Sequence, residues 1–190
     1  MKFMSSNKLK IDQYRRWLCG NVDFAAGPDL KEISSYPEAV AIYKSLMSGP
    51  DTMIDDTSLY VFARPDLRPE EIRWNEQELF EATNLDGTTI RSEVWLGVND
   101  GQYITTYRGF TNGVWKKPDV IPDDCSDFDI GFIPYDEKDN LTLYSLLKTR
   151  TPYGDSFSSR FRACQNYIKG NTSLVIKIDD IPDWTGKWQQ

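Results

Sequence analysis

Histidine is absent from all 190 residues. A nucleophile activated by an imidazole, whether Ser-His-Asp or Cys-His, therefore cannot be assembled within one chain. The usual zinc sites lose their nitrogen ligand as well, and the three cysteines, Cys19, Cys125 and Cys164, are one short of an all-cysteine site. None of them lies in a CxxC pair. Their odd number and wide spacing do not make a disulfide framework, so a reducing, intracellular compartment with buried structural thiols is expected. Long apolar runs are missing too: residues 39–43 and 59–63 are the longest, against the roughly 18 needed to span a bilayer. The opening MKFMSSNKLK has no apolar core of the kind a secretory signal needs. A soluble, cytoplasmic protein without membrane contact is expected, and the sequons at Asn140 and Asn171 should then be unmodified. There is no Walker A sequence and no glycine-rich fingerprint after a strand, so ordinary nucleotide and dinucleotide cradles are missing and no cofactor or metal is indicated.

What is present suffices for a folded chain. Hydrophobic residues make up 39% and aromatics 13%, more than a disordered segment carries. The length suits a single domain over residues 1–190. Its parts are a helical stretch over 1–50, a β-rich part over 51–118, an acidic segment over 119–140, and helices with a final strand over 141–190.

Leu9, Ile11, Tyr14, Trp17 and Leu18 predict a helix over about 7–19, with Ser6 or Asn7 as cap and Gly20 as stop. A second helix begins at Pro37, carries Ala39, Val40, Tyr43, Leu46 and Met47 on one stripe, and stops at Gly49-Pro50. A strand over about 57–63 follows. Turn signals then recur at Asp86-Gly87, Asn99-Asp100-Gly101 and Thr111-Asn112-Gly113, with β-type residues between them, which is the pattern of an antiparallel meander. Leu141, Tyr144 and Leu147 mark a short helix. Phe157, Phe161, Cys164 and Ile168 mark another that Gly170 ends, and residues 173–178 read as a strand. The fold class expected is α+β: an antiparallel meander sheet (about 57–63, 78–118 and 172–178) packed by N-terminal and C-terminal helices.

Charge is distributed unevenly. The net charge is −7, from 29 acids and 22 bases. Residues 119–140 hold eight acids, Asp119, Asp123, Asp124, Asp127, Asp129, Asp136, Glu137 and Asp139, against Lys138 alone, so the excess is confined to this stretch. Direct nucleic-acid binding is disfavoured, because phosphate contacts need a basic surface. Phe128, Phe132 and Tyr135 are interleaved with these acids. Carboxylates that steer and aromatics that anchor make a partner-docking face. The function expected on this basis is a non-catalytic inhibitor or immunity-type protein that engages a basic, nucleic-acid-binding protein through Asp119, Asp123, Asp124, Asp127, Phe128, Asp129, Phe132, Tyr135, Asp136, Glu137 and Asp139.

Two other classes stand beside it. Arg108 in TYRGF and Ser156, Ser158 and Ser159 in DSFSS resemble the words of ADP-ribosyltransferases of the arginine–serine–glutamate class. That resemblance implies a Ser-rich strand and a catalytic Glu. No glutamate follows Glu137, so Asp179 or Asp180 would have to stand in. More generally, a histidine-independent enzyme could act on a nucleotide with carboxylates, arginine and serine, or hold a divalent metal at the acidic cluster. A structural component of a larger assembly is the third class.

Overall fold

Asn7 starts the first helix. In the computed structural model, which describes residues 1–18, 20, 22–122 and 127–189, its Oδ1 accepts from the N–H groups of Leu9 at 2.8 Å and Lys10 at 3.4 Å. Two orphan donors of α1 (Lys8–Trp17) are satisfied in this way. Ile11, Tyr14 and Trp17 form its buried face, and Tyr14 meets Phe3 with ring centroids 4.2 Å apart. Helix α2 (Pro37–Ser48) has proline in its first turn and ends at Gly49, whose φ of 83° is left-handed and natural only to glycine.

Around these helices lie strands that a periodicity argument passes over. β1 (Lys2–Ser5) and β2 (Asp23–Ala26) are four residues each and pair in parallel, Lys2 with Asp23 through Ser5 with Ala26. β1 also pairs in parallel with β3 (Thr52–Val61), Lys2 with Thr52 and Phe3 with Met53. β4 (Thr89–Asn99) and β5 (Tyr103–Trp115) are neighbours joined by a tight turn, in which Asp100 Oδ1 accepts from the N–H groups of Gln102 and Tyr103 and Gly101 takes a φ of 91°. Two short strands share one edge of β5 and both run antiparallel to it: β6 (Phe132–Pro134) against Gly113–Trp115, and β7 (Leu174–Lys177) against Tyr103–Thr106. The sheet order is β2-β1-β3-β4-β5-β6, with β7 also on β5. Helices α3 (Ile72–Glu81), α4 (Leu143–Thr149) and α5 (Ser159–Lys169) complete the inventory.

The sheet is therefore mixed, and the expected antiparallel meander is corrected. Residues 78–84, counted there as part of the sheet, belong to α3 and the turn after it. The Thr111-Asn112-Gly113 signal is not a turn at all; β5 passes straight through it. Gly113 is needed for close approach, since a Cβ there would run into the Ile133 carbonyl of β6 and the Phe132 ring.

The chain divides into two compact units. Unit 1 comprises residues 1–57, 94–109 and 163–190, and holds β1, α1, β2 and α2. In it, Asn99 Nδ2 donates to the Ser45 carbonyl of α2 at 3.0 Å. Unit 2 comprises residues 58–93 and 110–162. Its core is a single cluster that includes Leu59, Leu79, Ile90, Trp115, Phe128, Phe132 and Leu146. Asn75, wholly buried, ties α3 to it by donating to the carbonyls of Leu59 and Arg68. Among the described residues no helix is long and apolar enough to cross a membrane.

Candidate functional site

The order of the parallel strands in unit 1 selects one place. From β1 the chain crosses through α1 to β2 on one side, then returns through α2 to β3 on the other. Such a reversal opens a crevice at the carboxyl ends of the two central strands, which is where open sheets of this kind bind ligands. β1 ends at Ser5, and continuing its register with β3 places Ser5 level with Asp55.

Asp55 and Asp56 are consecutive on β3, so they leave the strand in opposite directions. Each is met by a lysine. Lys10, in the first turns of α1, places Nζ 2.8 Å from Asp55 Oδ1, whose side chain is fully buried. Lys44, near the end of α2, places Nζ 2.8 Å from Asp56 Oδ1 and 2.7 Å from Glu32 Oε1. Lysine and aspartate are rarely buried without a partner, and here five charged groups from four segments of chain partner one another.

Their titration follows from this arrangement. Burial opposes the positive charge of Lys44, but Asp56 and Glu32 outweigh it and hold the ammonium above its ordinary pKa. Burial pushes Asp56 up; the Lys44 charge draws it back, Glu32 pushes it further up, and Lys10 draws it back again, leaving it above the usual carboxylate range. A carboxylate raised in this way, next to cations that can neutralise phosphate, has the properties of a general base in phosphoryl chemistry. Among the described residues no three or more Asp, Glu or Cys side chains are grouped closely enough to hold a metal by themselves.

None of Lys10, Glu32, Lys44, Asp55 and Asp56 was a sequence candidate. The available signal was an acidic pair following the apolar Met53-Ile54, but a strand begun at residue 57 leaves that pair outside it.

The residues that were candidates are scattered. Asp123 and Asp124 lie outside the described residues. Asp119 is exposed. Phe128 and Phe132 are buried in the core of unit 2, with no ring surface to offer a partner. Glu137 is buried too, and its Oε2 accepts from the N–H groups of Asp139 and Leu141. Tyr135 is exposed and bonds through its hydroxyl to Thr89 Oγ1 at 2.6 Å. Asp136 lies 3.9 Å from Arg162, and Asp139 pairs with Arg150. Asp127 Oδ1 accepts from the N–H of Asp129 and caps a 3-10 turn at Phe128–Ile130. Asp127 and Asp129 do come together with Glu76 of α3. Burial pushes Glu76 up to about 7; the Phe128 N–H opposes this, Asp127 adds to it and Arg73 opposes it. Burial, Asp127 and Glu76 likewise raise Asp129 well above its ordinary value, against Arg160.

The ADP-ribosyltransferase words do not form the expected elements. DSFSS is a 3-10 turn (Gly154–Phe157) running into α5 rather than a strand. Ser159 is buried against Ser92, and the Arg108 guanidinium lies over the Trp95 ring at 5.6 Å.

No family model matches the sequence, and no curated protein does. Solved structures match the fold. The Staphylococcus aureus Ham1 protein superposes with a TM-score of 0.59 at 16% identity, over 90% of this chain and 100% of that one. A nucleoside-triphosphatase, dITP/XTP pyrophosphatase, from Mycobacterium abscessus superposes with a TM-score of 0.50 at 19% identity, over 88% of this chain and 99% of that one. At such identities the likeness is one of fold: among the described residues, a Ham1-like mixed sheet of seven strands with five α-helices. It overturns the expectation of a non-catalytic acidic inhibitor, because the fold is one that carries a nucleotide-hydrolysing enzyme, and nothing in these likenesses supports a protein partner.

Proposed function

We propose that this chain is a nucleotide pyrophosphatase, hydrolysing a phosphoanhydride bond of a nucleoside triphosphate at the unit 1 cluster. The observation that carries the reading is the pair of consecutive buried aspartates, each ion-paired to a lysine, level with the carboxyl end of β1. The fold shared with a dITP/XTP pyrophosphatase supports it.

In this reading Lys10 and Lys44 exchange a carboxylate partner for phosphate oxygens when substrate enters. The ammonium groups then neutralise charge that grows as the anhydride bond breaks. Asp56 takes the proton of the attacking water, the water oxygen bonds to the α-phosphorus, and pyrophosphate leaves with the electrons of the broken α–β P–O bond, giving the nucleoside monophosphate. Mg²⁺ carried in on the substrate phosphates would supply further charge neutralisation there. Glu32 keeps Lys44 aligned until the phosphate arrives. No step calls on histidine, in keeping with the composition.

The test is hydrolysis of a panel of nucleoside triphosphates, dITP and XTP included, with Mg²⁺ and with nucleotide products and pyrophosphate measured directly. Asp56→Asn should lower kcat by about 10²-fold or more, the usual effect of losing a general base. Lys10→Ala should act chiefly on KM. Undiminished turnover in Asp56→Asn, or no hydrolysis of any nucleotide by the unaltered chain, would remove the proposal.

A further inference from the structure

Glu32 sits in residues 27–36, between β2 and α2, where the chain forms neither helix nor strand. The end of the chain orders this loop. The N–H of Gln189 donates to the Glu32 carbonyl at 2.9 Å, the N–H of Ser34 donates to the Lys187 carbonyl at 2.9 Å, and Gln189 Nε2 donates to the Ile33 carbonyl at 3.0 Å. Ile33 and Trp188 thereby form an antiparallel bridge. The same segment reaches α2. The Tyr43 hydroxyl donates to the Pro182 carbonyl at 2.7 Å, and the Trp184 ring meets Tyr43 edge-on with centroids 5.5 Å apart. Trp184 packs on the apolar cluster of Ile33, Ala39 and Val40. Its Nε1 donates to the Lys187 carbonyl, and Gly186 leaves room for the indole that a Cβ would overlap.

These contacts fall on the immediate neighbours of two members of the charged cluster. Ile33 follows Glu32, and Tyr43 precedes Lys44. A loop with no secondary structure of its own would let the Glu32 carboxylate sample many positions, and an ion pair holds a lysine only when the partner is already in place. We propose that residues 182–189 are a positioning strap that holds Glu32 against Lys44 and so fixes the ammonium between Glu32 and Asp56. The proposal rests on the unit 1 cluster being the working site, and it assigns the strap no contact with substrate.

Competitive labelling of lysines with acetic anhydride tests it, read peptide by peptide by mass spectrometry on the full chain, on Trp184→Ala, on Gln189→Ala and on a chain ending at Ile181. Labelling follows the free-amine fraction, so loss of Glu32 as partner, at roughly one pKa unit, should raise Lys44 labelling about tenfold. Lys10, paired with Asp55 and untouched by the strap, should stay within about twofold in the same samples. Glu32→Gln should raise Lys44 labelling to the same level, and truncation in that background should add nothing further. Unchanged Lys44 labelling in all three strap variants overturns the proposal. So does a parallel rise at Lys10 and Lys44, which would mean that the tail only stabilises unit 1. Labelling needs no turnover, so a chain that hydrolyses no nucleotide would remove the pyrophosphatase reading and leave this result to stand by itself.

Discussion

Replacing Lys44 with methionine keeps most of the aliphatic stem and deletes the charge that Asp56 and Glu32 share. In the native chain the Lys44 side chain is 13% exposed, the Asp56 side chain 6% and the Glu32 side chain 30%. A charge pair about 4 Å apart is worth about 4 kcal/mol at an effective dielectric near 20. Removing one member of a buried pair costs about 3–5 kcal/mol, because the other is left charged and out of water. A loss in that range is expected for Lys44→Met at pH 7.5, held down from a larger value by the exposure of Glu32 and by the field of Lys10 at Asp56. The pH dependence is the sharper signature. Without Lys44 the folded-state pKa of Asp56, already above its unfolded value, rises further. A group raised in this way contributes stability below its unfolded pKa that is lost as pH climbs through the folded one. The Lys44→Met deficit should therefore be largest at pH 7.5 and shrink towards pH 4.5, where Asp56 can take a proton. Urea unfolding followed by tryptophan fluorescence reports both, and with a slope near 2 kcal/mol/M the midpoint should fall by about 2 M at pH 7.5. Asp56→Asn in the same chain should recover about half of the loss or more. A deficit below about 1 kcal/mol at pH 7.5, or one equal at the two pH values, would refute the argument that Lys44 exists to balance buried carboxylates.

Glu76 offers a second pH test, in unit 2. Its pKa of about 7 lies above the ordinary 4.5, so stability should fall as pH rises from about 4.5 through 7, by about 3 kcal/mol at most. Glu76→Gln should flatten this part of the profile and stabilise the chain at pH 8 in thermal melts; an unchanged slope would show that burial beside Asp127 does not raise Glu76. Gly113→Ala should cost about 1–3 kcal/mol, the usual range for overpacking, because the new methyl meets the Ile133 carbonyl, and hydrogen exchange should show β6 leaving β5 first.

Local signals in the chain proved dependable where the physics is local. Asn7 and Pro37 start α1 and α2 and Gly49 stops the second, because capping and left-handed φ depend on a few neighbouring residues. The Asp100-Gly101 turn and the last strand were equally readable. What failed was pairing. β1 and β2 are too short for an alternation to show, and no local feature of KFMS or DFAA announces a parallel partner twenty or fifty residues away. Gly113 shows the opposite error: an Asn-Gly pair that signals a turn in isolation is, in β5, a glycine selected by the strand beside it.

The same contrast explains why charge led away from the site. The 119–140 segment dominates any running count because its acids are adjacent in sequence, yet in space they disperse to the Phe128 turn, the Glu137 loop, and pairs with Arg150 and Arg162. The unit 1 charges are the reverse: two lysines and three acids separated by up to 46 positions, brought into one pair and one triad at ion-pair distance. They nearly cancel, so a count along the chain sees nothing there. In the proposed reading that cancellation serves the site before substrate arrives, since burial opposes the charge of Lys44 and its carboxylate partners outweigh it. Carboxylates that partner the lysines in the resting chain can be displaced by phosphate oxygens, and one of them is then free to accept a proton. Stability and proposed chemistry thus draw on the same five side chains. Lys44→Met should accordingly lose turnover at pH 7.5 even in samples that circular dichroism shows to be folded.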